Sequence, residues 1–262
     1  MLNDEKTKEI TMKSVFITGG TTGMGLELAK IYLKAGWKVG VCGRDPLKFK
    51  EGFPYGGDDL YYYQVDVTKR EELQKAIAEF SHSIGLDLLI ASAGISFPHK
   101  TKIPDFERSY YMVEVNLLGV MYAFEAAMKE MLPKKRGHLV AISSVAGFNG
   151  LPGVSAYSAT KSAVTKYCES LSLDLADYGI SVTSIHPGFV DTPLTRVNPH
   201  PMPFKLSAAE AAKKIARAID KKKMHYSFPF VFSLVVKFLS LLPRTWYKRL
   251  MKVKLFNFSK EH

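Results

Sequence analysis

The sequence is poor in cysteine, in metal-binding spacings and in long apolar runs. Only Cys42 and Cys168 occur among 262 residues, which leaves no disulfide framework and no thiolate ligand set. A reducing, cytoplasmic setting is therefore expected. His99, His186 and His200 form no H-x-x-x-H or Cys–His pattern, so they read as structural or pocket residues and no metal is expected. The stretch MLNDEKTKEITMK is too charged for a signal peptide's apolar region, and residues 1–12 read as a flexible tail. FSLVVKFLSLL (232–242) is strongly apolar but interrupted by Lys237, and a spanning helix needs about 20 apolar residues. Acid is missing where base is dense: from Lys221 to Lys254 there are nine Lys or Arg and no Asp or Glu. These cations alternate with Phe, Leu and Val rather than Gly and Ser, so the net charge of +11 does not point to nucleic acid. Residues 221–262 read instead as a C-terminal extension: a lid over an apolar substrate, a peripheral membrane contact, or a solvated helix face packed on the core.

What is present is a regular alternation. Short apolar or β-branched runs at 14–18, 37–42, 61–67, 86–92, 137–143 and 180–186 have the composition of strands buried on both faces. Helical patterns lie between them near 24–35, 70–83, 105–131 and 155–177. This order predicts one α/β domain, a doubly wound and mainly parallel sheet (a Rossmann fold) with helices on both faces. SAAEAAKKIARAID (207–220) predicts a further helix, and MHYSFPF (224–230) offers a last edge strand.

TGGTTGMG (18–25) falls where the first strand turns into the first helix. Glycine permits the sharp turn and a close backbone approach, and the helix N-terminus offers unpaired N–H groups to a pyrophosphate. Gly19, Gly23 and Gly25 give G-x-x-x-G-x-G rather than G-x-G-x-x-G. The second strand ends VCGRD, with Gly43 where NAD-binding sheets carry an acid for the ribose 2′-hydroxyl, and Arg44 next. A guanidinium grips a 2′-phosphate that a carboxylate would repel, so NADP(H) is favoured over NAD(H).

YSATK (157–161) sets a phenol and an ammonium four residues apart, on one face if the segment is helical. Taken with TGGTTGMG, Asp66 in DV, Asn116 in VNLLG, Ser144 in ISSVAG and PGFVDT (187–192), the chain resembles the short-chain dehydrogenase/reductase family from Ser14 to about Thr192. One motif departs: ASAG (91–94) places Ser92 where the family has a second asparagine, which leaves the sheet bonding there open. The resemblance implies cofactor contacts from Gly19, Thr21, Thr22, Gly23, Met24, Gly25, Arg44, Asp66, Val67, Ser92, Ala93, Gly94, Pro187, Gly188, Val190 and Thr192. Asn116, Tyr157 and Lys161 are implied in both catalysis and cofactor binding, with Ser144 catalytic. It also implies that Asn116 holds a water connecting Lys161 to solvent, that Lys161 reaches the nicotinamide ribose, and that copies pair as homodimers or homotetramers through the helices near 105–131 and 155–177.

The chemistry follows from the side chains. Carbonyl reduction needs a hydride on carbon and a proton on oxygen. A phenol has an unperturbed pKa of about 10, and an adjacent ammonium is expected to lower that value by roughly 1–3 units. Tyr157 would then move the proton, Lys161 would tune it, and Ser144 would hold the substrate oxygen. The resemblance implies that TPLTRVNPHPMPFKL (192–206) is a flap over the substrate, and with the apolar tail it suggests a small hydrophobic carbonyl or alcohol, lipid-, steroid- or acyl-like. A non-catalytic nucleotide sensor and a membrane-docked module on the same fold are the alternatives.

Overall fold

The computed structural model describes residues 13–98, 103–196 and 202–251. The expected tail at 1–12, His99, the middle of the expected flap at 197–201 with His200, and the end of the basic stretch lie outside the described residues.

The first half runs β1 (Ser14–Thr18), α1 (Gly23–Lys34), β2 (Lys38–Gly43), α2 (Pro46–Gly52), β3 (Leu60–Gln64), α3 (Arg70–Ile84) and β4 (Leu88–Ala91). The second half runs α4 (Phe106–Val113), α5 (Gly119–Met131), β5 (Gly137–Ile142), α6 (Ser155–Asp174), β6 (Ile180–Pro187), β7 (Val190–Asp191) and α7 (Pro193–Arg196). After these come β8 (Leu206–Ser207), α8 (Ala208–Asp220), β9 (His225–Phe228), α9 (Phe230–Leu241) and α10 (Arg244–Met251). Seven strands form one sheet in the order β3-β2-β1-β4-β5-β6-β9, and every adjacent pair is parallel.

Strand alternation sorts the core into two layers. In β1, Val15 and Ile17 face one side and pack with Leu28 of α1 and Ile215 of α8. Phe16 faces the other, with Phe80 of α3 and Phe124 of α5. All three are fully buried, the pattern of a strand covered on both faces. Replacing a fully buried phenylalanine such as Phe16 by alanine costs about 3–5 kcal/mol in cores of this kind. The strand order reverses beside β1, where one crossover leads to β2 and another to β4. That switch point opens a crevice at the carboxyl ends of the strands, where both the glycine turn and the end of β5 emerge.

Several boundaries move from their expected places. The third strand stops at Gln64, before Val65 and Val67, which turn into the core. The helix expected over 105–131 is broken into α4 and α5 by a π-helical turn at Glu114–Leu118. The edge strand offered at 224–230 forms as β9, parallel to β6.

Two histidines behave as structural groups. His138 in β5 pairs with Thr183 Oγ1 at 2.8 Å, and His186 Nε2 lies 3.0 Å from Ser184 Oγ. Burial lowers their pKa values, to about 4 for His138 and about 3 for His186. Below the ordinary value near 6.5 the unfolded chain gains protons that the folded chain refuses, so stability falls as the pH drops from 6.5 towards 4. For His138 alone the loss is about 3 kcal/mol by pH 4. Thermal melts of wild type and His138→Gln across pH 7 to 4 test this. The variant should show a shallower acid decline, and parallel declines would contradict the assignment.

Candidate active site

The glycine turn is built by contact with the strand beyond it. Gly19 has φ +65°, and a Cβ there would stand 2.8 Å from Ala93 Cα. Gly25 lies in the first turn of α1, where a Cβ would lie 2.3 Å from the Gly19 carbonyl oxygen. Neither position has room for a side chain. Thr18 Oγ1 accepts hydrogen bonds from the amides of Ser92 (3.2 Å) and Ala93 (3.3 Å). The loop after β4 is thereby fastened through its backbone, which answers the question raised by a serine at position 92. Thr22, the residue before α1, makes no side-chain capping bond, so the helix's first amides stay free to meet an anion.

The end of β2 is equally tight. A Cβ on Gly43 would sit 2.7 Å from Thr21 Oγ1. Arg44 hydrogen-bonds the Tyr111 hydroxyl, and its guanidinium lies 3.7 Å from Asp66 Oδ2. Asp45 turns to cap α2, its carboxylate accepting from the Leu47 amide at 2.9 Å. Asp66 Oδ1 accepts from the Thr68 amide at 3.0 Å and the Thr68 hydroxyl at 2.9 Å.

The reactive cluster lies where β5 ends against α6. Ser143 Oγ donates to the Lys161 carbonyl at 2.8 Å, and Lys161 Nζ donates back to the Ile142 carbonyl at 2.8 Å. Tyr157 and Lys161 share a helix face, with Nζ 5.7 Å from the phenol ring centroid. Ser144 Oγ accepts from the Ala146 amide at 3.1 Å, and its hydroxyl acts on the Tyr157 phenol, favouring the phenolate. Asn116 projects inward from the π turn, whose extra residue rotates it towards the core. Its Oδ1 accepts from the Ile95 amide at 2.8 Å, and its Nδ2 donates to the Ile95 carbonyl at 2.9 Å. Nδ2 also approaches Thr160 Oγ1 at 3.3 Å, which links the turn to α6.

The charge states correct one expectation. The ammonium was expected to pull the phenol pKa down. Instead, loss of hydration dominates both groups. Burial pushes the Tyr157 phenol up, opposed by its hydrogen bond to Ser144, and lowers Lys161 to about 8. The ammonium points to a strand carbonyl rather than to the hydroxyl, so the phenol keeps its proton near neutrality.

These groups border one cleft of about 700 Å³. Of the residues the sequence points to, all line it except Asn116, which is fully buried behind the wall. The sequence reading missed Lys48, Ile95, Phe97, Arg108 and Thr195, which also line it. Arg108 lies 5.3 Å from the Phe97 ring centroid, a contact between a loop and α4 that no local motif announces. Thr195 is part of a tight turn: its hydroxyl donates to the Val190 carbonyl at 2.5 Å and accepts from the Thr192 amide at 3.1 Å.

Residues 13–202 match the family model for short chain dehydrogenases. The chain belongs to that family. It is similar to an uncharacterized oxidoreductase of Myxococcus xanthus, 33% identical over 239 residues, covering 90% of this chain and 94% of that protein. An uncharacterized oxidoreductase of Staphylococcus aureus is 34% identical over 218 residues, covering 82% and 94%. Among solved structures, one described as ElxO with NADP bound has a TM-score of 0.74 at 28% identity, covering 82% of this chain and 96% of that one. The protein is thus a nicotinamide-dependent dehydrogenase or reductase, and the bare glycine turn, open helix end and cleft have the shape and donors that a dinucleotide requires.

Asn116→Ala would leave both polar groups of Ile95 without their partner. It should destabilise the fold by about 2 kcal/mol, within the range for buried groups stripped of hydrogen bonds. Denaturant unfolding measures this, and a loss under 0.5 kcal/mol would show that Asn116 does not hold the loop.

Proposed function

We propose that this dehydrogenase interconverts a carbonyl and a secondary alcohol on a small hydrophobic substrate with NADP(H). The observation that carries the reading is the Ser144–Tyr157 pair on the cleft wall, with Lys161 buried against it and the glycine turn in the same cleft.

In this reading a dihydronicotinamide held in the cleft would supply the hydride. Tyr157, protonated near neutrality, hydrogen-bonds the substrate carbonyl oxygen and gives it the proton as the alcohol forms. Ser144 donates to the same oxygen, holding it in place and favouring the negative charge that develops there. Lys161, cationic below about pH 8, favours the phenolate left after proton transfer and would be the residue that holds the nicotinamide ribose. Asn116 fixes the loop that borders the nicotinamide side of the cleft.

Arg44 and the absence of a carboxylate at Gly43 support NADP(H). Asp45 is occupied as the cap of α2, and Arg44, held beside Tyr111 and Asp66, lines the cleft together with Lys48 where a 2′-phosphate would sit. ElxO, solved with NADP bound, is consistent with this preference. Ile95, Phe97 and Leu194 in the lining support an apolar substrate. Exposed Phe106, Tyr110 and Val113 on α4 support pairing of two copies through α4, α5 and α6.

Tyr157→Phe should bind NADPH normally, by fluorescence titration, while turnover of a ketone falls about 10²–10⁴-fold, the usual contribution of a placed acid. Turnover near wild type would overturn the role. Arg44→Ala should weaken NADPH binding about 10–100-fold, as expected for a charged hydrogen bond, while NADH binding changes little. Equal losses for the two cofactors would defeat the NADP preference.

A further inference from the structure

The outward face of α9 is apolar and has no covering element among the described residues. Phe230, Val231, Leu234, Val235, Phe238 and Leu241 all point away from the protein, with Phe238 61% and Leu241 79% exposed. They recur at helical spacing along one side of a twelve-residue helix, whereas Ser233 and Val236 on the opposite side are buried. This is not a loose tail. Asn149 Nδ2 donates to the Val236 carbonyl at 2.7 Å, and Tyr247 of α10 donates to the Gly150 carbonyl at 2.7 Å. Phe232, on the inner side, lies against Phe189 with ring centroids 5.8 Å apart and planes tilted by 39°. The inner face is anchored, so the outer face is held in a fixed presentation.

Monomeric soluble domains rarely expose an apolar patch of this kind without a partner. The charge beside it narrows what that partner is. Across Leu242 and Pro243, α10 carries exposed Trp246 together with exposed Arg244, Lys248 and Arg249. Residues 221–251 contain no Asp or Glu. A second copy seated on this face would bring two basic rims together, which opposes pairing. An anionic bilayer matches both features: acyl chains for the apolar face, phosphate headgroups for the cations, and the interfacial layer for the indole. No helix among the described residues is long and apolar enough to cross a membrane.

We propose that α9 and α10 form an interfacial docking surface for anionic phospholipid, with α9 lying in the plane of the membrane. This goes beyond the proposed reaction and stands or falls separately from it.

The test is co-sedimentation of the full chain with vesicles of phosphatidylcholine alone or mixed with phosphatidylglycerol. Wild type should pellet with the mixed vesicles, weakly with the neutral ones, and less as salt rises. Leu234→Glu with Phe238→Glu, both exposed and outside the cleft, should lower binding at least tenfold. Arg244→Gln, Lys248→Gln and Arg249→Gln together should lower it about fivefold per charge removed, as expected for cations at an anionic surface. NADPH turnover of a soluble ketone, unchanged in both variants, shows that they fold. No pelleting, equal pelleting with both vesicle types, or variants that pellet like wild type would each overturn the proposal. So would a dimer in sedimentation velocity that Phe238→Glu dissociates without any lipid binding.

Discussion

The site depends on an ammonium held out of water. Lys161 is 4% exposed, and the cost of removing its hydration is met by the Ile142 carbonyl that it reaches across the end of β5. Ser143 ties the backbone of the same lysine to the same strand end. These two bonds fix where α6 begins relative to the sheet, and with it the position of Tyr157 beside Ser144. A buried cation of this kind destabilises the fold if its acceptor is lost, and it is most effective electrostatically because no solvent screens it. The same desolvation keeps the proton on Tyr157 and eases it from Lys161, so one physical cause sets the charge state of both residues.

The other half of the cleft is made by removing atoms rather than adding charge. Gly19, Gly25 and Gly43 each lie where a Cβ would meet a neighbour within 2.3–2.8 Å. Their bare backbone lets α1 approach the strand ends and leaves its amides facing the cleft. The sheet's reversal at β1 and β4 aligns this bare corner with the β5–α6 clamp. Binding and chemistry are brought together by topology, since the glycine turn and Tyr157 are more than a hundred residues apart in sequence.

Much of this was legible in the sequence because the signals are local. The alternation of buried strands and helices gave the order of elements, and TGGTTGMG and YSATK each carry their spacing on their face. Other features depend on distant partners. The π turn at Asn116 faces Ile95, in the loop after β4, whose amide and carbonyl both bond the asparagine; periodicity shows only a continuous helix. Arg108 enters the cleft wall through Phe97. The electrostatic relation of Tyr157 and Lys161 is hidden from the sequence for the same reason. Sequence spacing sets the two side by side, whereas the direction of the ammonium is set by Ile142 on a strand that the spacing does not reveal.

The most direct measurement is an NMR titration of the lysine side chains in the cofactor-free protein, with Lys161→Met identifying the signal. One lysine signal should titrate near pH 8 and vanish in the variant. If the Lys161 signal titrates instead near 10.4, the ordinary lysine value, the ammonium is hydrated and the clamp that organises the site is not there.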